Sequence, residues 1–113
     1  MFKKNLGKLG EKIARQYYQS LGWKVLIQNF YTRYGELDLV LEKNQKILIV
    51  EVKTRNNTNF GFGEESVSNK KIKNLKAAWQ IFKMKNKITI NCDLEICVIE
   101  IKNKKAKIYR FYL

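Results

Sequence analysis

Histidine is absent from this chain of 113 residues, and cysteine occurs only twice. Without an imidazole there is no Ser-His triad and no nuclease scheme built on a histidine base. Two cysteines and no histidine also leave no zinc site of the ordinary four-ligand kind. Cys92 and Cys97 fall on one strand-like segment, where an odd spacing sends them to opposite faces, too far apart to bridge. Long apolar runs are missing as well. The longest, such as Ile47 to Val50, are far too short to span a bilayer. The opening Met1-Phe2-Lys3-Lys4-Asn5-Leu6-Gly7 contains no apolar core of signal-peptide type. A cytoplasmic protein with no membrane partner is the expectation, and two unpaired cysteines suit it.

Acidic residues are scarce: 10 Asp and Glu stand against 23 Lys and Arg, a formal charge of +13. So large a charge on a small domain strains the compact state by self-repulsion. An anionic partner would offset it, and nucleic acid is the usual one. A solubilising surface, or a genomic bias toward Lys, Asn and Ile, would produce the same excess. What is present reads as folded rather than disordered, with 45% hydrophobic and 29% charged residues. The length suits a single domain over residues 1–113, with one core and no room for a second.

Apolar residues at three- and four-residue steps, Leu6, Leu9, Ile13, Tyr17 and Leu21, predict a helix over 6–21 that Gly22 stops. Strands are predicted over 23–29, 37–42 and 46–53, the last two joined as a hairpin at Asn44-Gln45. A polar, glycine-containing loop follows over 56–63. A second helix begins after Ser66 or Ser68 as N-cap. Its apolar stripe is Ile72, Leu75, Ala78, Trp79 and Phe82, and lysines crowd its other faces. A last strand pair, 93–101 and 106–112, turns around Asn103-Lys104. The predicted order is αβββαββ, an α/β chain without repeats or linkers.

The central hairpin carries the chemistry. A symmetric loop at Asn44-Gln45 pairs positions whose numbers sum to 89. Leu37, Leu39 and Leu41 then share one face with Leu48, Val50 and Val52. The other face holds Val40, Ile47 and Ile49 in its middle and Glu36, Asp38, Glu51 and Lys53 at its open end. A strand apolar on both faces belongs at the centre of a covered sheet, so these charged groups sit at the edge of a core. In this register Asp38 lies across from Glu51, with Cβ atoms about 5 Å apart. Two ionised carboxylates at that distance repel by roughly 3 kcal/mol at an effective dielectric of 20. A divalent cation between them reverses the sign. An all-oxygen donor set selects Mg²⁺ or Mn²⁺. Lys53, on the same face, can reach a phosphate oxygen beside the cation and stabilise developing charge there. The plainer alternative is a Glu36–Lys53 cross-strand ion pair with Asp38 and Glu51 merely exposed. Glu11, bordering the first helix's apolar face, is either a solvated helix charge or a further carboxylate reaching over the sheet end. Gly7 and Gly10 beside it leave room for close approach of backbone or ligand.

Gly10-Glu11-x-x-Ala14, Gly35-Glu36-Leu37-Asp38-Leu39-Val40 and Val50-Glu51-Val52-Lys53-Thr54-Arg55 resemble, block by block, the YraN-like family of small bacterial proteins. That family is similar to the restriction-endonuclease-like superfamily, the PD-(D/E)xK nucleases, and to archaeal Holliday junction resolvases. Phe60-Gly61, Ser66-Val67 and Lys71 also fall where the family pattern has them, so the resemblance covers nearly the whole chain. It implies a restriction-endonuclease-like fold, a central mixed β-sheet flanked by helices. It implies Asp38 and Glu51 as metal ligands, Lys53 as the catalytic lysine and Glu11 as an outer carboxylate of the same site. Where the family has Arg-Phe-Asp on the next strand, this chain has Asn91-Cys92-Asp93, and no arginine contact is implied there.

Three readings follow. The first is a Mg²⁺-dependent nuclease cleaving phosphodiester bonds of branched or unusual nucleic acid, DNA before RNA, with Arg55, Lys70, Lys71, Lys73 and Lys76 as backbone contacts. The second is a non-catalytic basic module that keeps the fold and binds nucleic acid. The third, a basic ribonucleoprotein component, leaves Asp38 facing Glu51 unexplained. Homodimerisation is left open.

Overall fold

The computed structural model describes residues 2–56 and 68–113. Most of the loop expected over 56–63 and the Ser66 cap alternative therefore lie outside the described residues, as do Phe60, Gly61 and Val67. The described elements are α1 (Phe2–Ser20), β1 (Lys24–Thr32), β2 (Gly35–Lys43), β3 (Lys46–Arg55), α2 (Asn69–Lys85), β4 (Cys92–Lys102) and β5 (Lys105–Tyr112). The described strands make one mixed sheet in the order β1-β2-β3-β4-β5. Neighbours run antiparallel except β3 and β4, which are parallel. No described helix is long and apolar enough to cross a membrane.

Local chemistry sets the corners. Asn44 (φ 51°) and Gln45 (φ 63°) both occupy the left-handed region, as do Asn103 (φ 53°) and Lys104 (φ 61°). Two successive positive φ values make a two-residue type I′ turn, whose twist suits a hairpin. The β2–β3 ladder accordingly keeps the predicted register, with Lys43↔Lys46, Glu42↔Ile47, Leu41↔Leu48, Val40↔Ile49 and Leu39↔Val50. Gly22 (φ 95°) ends α1. The N–H of Trp23 donates to Tyr18 O and that of Gly22 to Gln19 O, both at 3.0 Å, the paired bonds of a glycine C′ stop. Ser68 caps α2 by accepting from Lys71 N at 3.1 Å.

The helices cover opposite faces of the sheet. On one face Ala14 and Tyr18 of α1 pack on Leu39, Leu41, Leu48, Val50, Cys97 and Ile99. On the other, Leu75, Ala78, Trp79 and Phe82 of α2 pack on Leu37, Val40, Ile47, Ile49 and Leu94. β3 is thus apolar on both sides and central, as its composition predicts. Cys92 belongs to the α2 side and Cys97 to the α1 side, and both are free thiols.

Two sequence expectations are corrected here. The buried line of α1 is Gly10, Ala14 and Tyr18, one position on from the predicted leucine stripe, and Leu9 and Leu21 are exposed. Small residues at Gly10 and Ala14 let the helix backbone approach the sheet, which a stripe of leucines would hold away. Leu37 also does not share a face with Leu39 and Leu41. It joins Val40 on the α2 side, a three-residue step that breaks strand alternation at Asp38. Opposite that break, between the pairs Gln28↔Leu39 and Phe30↔Leu37, Asn29 adopts a left-handed φ of 57°. The two strands kink together, and the kink aims Asp38.

Candidate metal and nucleic-acid site

The kink, the open end of β3, the middle of α1 and the first turn of α2 meet at one end of the sheet. The last described β2–β3 pair there is Leu39↔Val50. Beyond it the ladder is replaced by a side chain: Val52 N donates to Asp38 Oδ2 at 2.8 Å. Asp38 is buried, and its carboxyl lies within hydrogen-bonding reach of those of Glu36 and Glu51. Burial first, then these neighbouring carboxyls, push its pKa up to about 9, against the lowering influence of the Val52 N–H. A carboxyl in such surroundings keeps its proton at neutral pH, and a divalent cation beside it would favour the ionised form.

Glu11 comes to the same place from α1. A Cβ on Gly10 would lie 1.8 Å from Thr54 Oγ1, so only glycine lets α1 touch the end of β3 one residue before Glu11. Burial and the charge of Glu36 raise the pKa of Glu11. Asn29 joins the two acids: with its amide nitrogen facing them, it donates to Glu36 Oε1 at 2.9 Å and to Glu11 Oε1 at 3.2 Å. One carboxylate oxygen from each of Glu11, Glu36 and Asp38 falls within 4.8 Å of the others. The donor set is hard oxygen alone, which suits Mg²⁺ or Mn²⁺ in preference to zinc.

Glu51 is also buried, but its partner is different. Lys71 of α2 reaches Glu51 Oε2 at 2.8 Å. The Ser68 cap holds the Lys71 backbone in the first helical turn, from which its partly exposed side chain turns toward Glu51. The contact with Glu51 raises the pKa of Lys71. Lys53 stands two residues beyond Glu51 on β3, and among the described residues no ion pair or hydrogen bond ties it to the cluster. Lys70, Lys73 and Lys76 are exposed. Arg55, the last residue of β3, lies opposite Glu100 of β4. Lys76 is far enough along α2 to act electrostatically on Cys92, at the other end of β4.

The structure brings together Asp38, Glu51, Glu11 and Glu36, all named from the sequence, and adds Asn29 and the contact of Lys71 with Glu51. Glu36 shares the Glu-x-Asp spacing with Asp38, and that spacing was the signal for it. Asn29 has no signal, and Lys71, though it stands at a family-pattern position, has none for its contact with Glu51, because a strand kink and a helix-to-sheet reach decide them. A second polar cluster also escapes sequence reasoning. Glu95 is 1% exposed, accepts from the Tyr18 hydroxyl, and pairs with Arg110 through Nε–Oε1 at 2.6 Å and Nη2–Oε2 at 3.3 Å. An acid inside the apolar run of β4 was its only trace. Fully paired, it ties α1 to β4 and β5.

Residues 10–101 match the model of the uncharacterised protein family UPF0102. The chain is 44% identical over 106 residues to a UPF0102 protein of Syntrophomonas wolfei, covering 93% of this chain and 92% of that protein. It is 38% identical over 101 residues to one of Clostridioides difficile, covering 89% and 88%. With one of Vibrio parahaemolyticus it shares 35% identity over 99 residues, covering 88% and 82%. The matched span contains every carboxylate of the site.

Proposed function

This chain belongs to the uncharacterised protein family UPF0102, and we propose that it is a Mg²⁺- or Mn²⁺-dependent nuclease of restriction-endonuclease-like fold, hydrolysing phosphodiester bonds of nucleic acid, DNA before RNA. One observation carries the reading: the buried Asp38 and Glu51 and the half-buried Glu11 and Glu36, carried on α1, β2 and β3, converge at one sheet end of a chain whose formal charge is +13. Like charges gathered in a core edge cost stability and serve no packing purpose. Among anions, a polyphosphate chain suits a surface this basic.

Asp38 and Glu36 of β2 and Glu11 of α1 would hold the cation, with Glu51 completing the shell when Lys71 lets it go. A bound cation supplies Lewis acidity to a phosphodiester oxygen. The Val52 N–H fixes Asp38 Oδ2, leaving the other oxygen to turn toward a ligand. Asn29 holds Glu11 and Glu36 in register. Lys53, charged and outside the carboxylate network, is free to meet a non-bridging phosphate oxygen. Lys71, released from Glu51, would offer a second ammonium on the same side. Hydrolysis consumes one water, breaks one P–O bond, and returns the proton to the leaving alkoxide. The test is Mn²⁺ titration by calorimetry beside cleavage assays on duplex, flap, junction and single-stranded substrates. Binding without cleavage of any of them would sink the nuclease.

The non-catalytic module has one observation in its favour: Lys71 already neutralises Glu51 without a metal. In that reading Lys71→Ala leaves metal affinity absent, and nucleic acid binds equally well in a chelator.

A further inference from the structure

Resting on the proposed function, we infer that the β1–β2 turn is a stacking platform for unpaired nucleotides, so that the substrate is nucleic acid with single-stranded character beside the reacting phosphodiester. The turn is Tyr31-Thr32-Arg33-Tyr34-Gly35. Tyr31 is 73% exposed and Tyr34 is 39% exposed. Phe111 and Tyr112 of β5 are exposed as well, and β4 separates them from the carboxylate strands: Phe111 lies across from Ile96, which lies beside Glu51. Among the described residues, Tyr31 and Tyr34 are the exposed aromatics of the β1–β2 hairpin, which also carries Glu36 and Asp38.

Their placement is fixed. Tyr31 is the cross-strand partner of Glu36, which puts its Cβ about 5 Å from that of a cluster carboxylate. Its hydroxyl lies near the Glu36 carboxylate, and most of its side chain meets solvent. Thr32 Oγ1 donates to Gly35 O at 2.9 Å and accepts from Tyr34 N at 3.0 Å, which sets the turn. The Arg33 guanidinium lies 4.9 Å from the centroid of the Tyr34 ring, adding a cation to the aromatic surface. Tyr34, Glu36 and Lys71 line one recess, so the turn is continuous with the basic first turn of α2. A rigid tyrosine face beside an anion-binding rim is what binds a base and its phosphate together. In a fully paired duplex the base faces are stacked on one another and cannot reach such a platform. A blunt duplex therefore gains nothing from it, and an unpaired nucleotide does.

The test uses fluorescence anisotropy with end-labelled DNA of one sequence, as a single strand, a blunt duplex and a gapped duplex, in chelator and in Ca²⁺. Tyr31→Ala and Tyr34→Ala should each weaken binding to the single strand and the gapped duplex by about tenfold. Blunt-duplex binding should not change, and Tyr31→Trp should restore the preference. Equal losses on all three substrates, no loss on any, or no single-strand binding by the parent would overturn the platform. Mn²⁺ affinity and cleavage by the parent are read separately. A parent that cuts blunt duplex while both tyrosine variants behave like it would remove the platform and leave the nuclease standing. A parent that binds no metal, yet loses single-strand affinity in the variants, would do the reverse.

Discussion

Asp38 takes its character from four neighbours: the Val52 N–H that orients it and the Glu36, Glu51 and Glu11 carboxyls that crowd it. Asparagine in its place keeps an oxygen for Val52 N and gains an amide that can donate to an acid. Asp38→Asn should therefore leave the apo stability at neutral pH equal or slightly higher, since the raised pKa already keeps a proton on Asp38 there, and should abolish Mn²⁺ binding. Paired urea melts and calorimetry check both halves. A destabilised apo variant would mean that Asp38 serves hydrogen bonds alone. The two lysines separate just as cleanly. Lys53→Ala should stop cleavage and leave Mn²⁺ affinity intact, because an ammonium is no ligand. Lys71→Ala should tighten Mn²⁺ binding, because it removes the cation that competes for Glu51, at a stability cost of about 1–3 kcal/mol, since Glu51 is buried while the lysine is partly exposed. Looser Mn²⁺ binding in Lys71→Ala would show that Lys71 organises the shell.

At the scale of elements, a helix and two turns govern the site's geometry. α1 meets β3 at Gly10, where a Cβ would fall 1.8 Å from Thr54 Oγ1 and 2.9 Å from Thr54 Cβ. Gly10→Ala should destabilise the fold by about 1–3 kcal/mol, the scale of overpacking, and should lower Mn²⁺ affinity by lifting Glu11. Thr54→Ala removes the nearer contact and should recover part of both. Gln45 is a side chain held at a positive φ by its turn. Glycine there relieves about 1 kcal/mol of strain, so Gln45→Gly should stabilise the protein by that amount without altering metal binding. The hairpin register was legible in the sequence because an even, symmetric turn admits one pairing. The broken alternation at Asp38 was not, since Asn29 looks like any polar strand residue until its φ is known.

For the molecule as a whole, the missing histidine makes its pH dependence simple to read. Between about pH 5 and pH 9 the ordinary carboxylates, lysines and arginines do not titrate, and burial moves both cysteines up to about 11. Asp38 does titrate there. Its folded pKa lies above the unfolded value, so the folded state binds the proton more tightly. That contribution is full below about pH 4 and is lost as pH rises toward about 9. The raised pKa of Glu11 works in the same direction. The apo melting temperature should therefore fall from pH 5 to pH 9, and saturating Mn²⁺ should flatten or reverse the fall. A flat apo profile would mean that the cluster is solvated and relaxed. The same net charge predicts that nucleic-acid affinity falls steeply with salt, log K being linear in log salt. Lys70→Ala or Lys73→Ala should flatten that slope by about one unit each if those lysines touch phosphate.

Composition, turn chemistry and apolar periodicity act over a few residues, and they alone determined much of this protein. They set a basic α/β chain, a symmetric central hairpin, a buried middle strand flanked on both faces, a glycine stop after α1, and acids at one end of the hairpin. Family blocks in the same segments agree with that pattern. Tertiary structure decided the rest. Which acids meet at the sheet end depended on a two-strand kink at Asn29 and Asp38, on the close seat of Gly10 against Thr54, and on the reach of Lys71 across from α2. Those are contacts between segments far apart in sequence, made by side-chain direction and backbone approach at the scale of an ångström. A residue's type and spacing carry no record of either until the helices have been laid on the sheet.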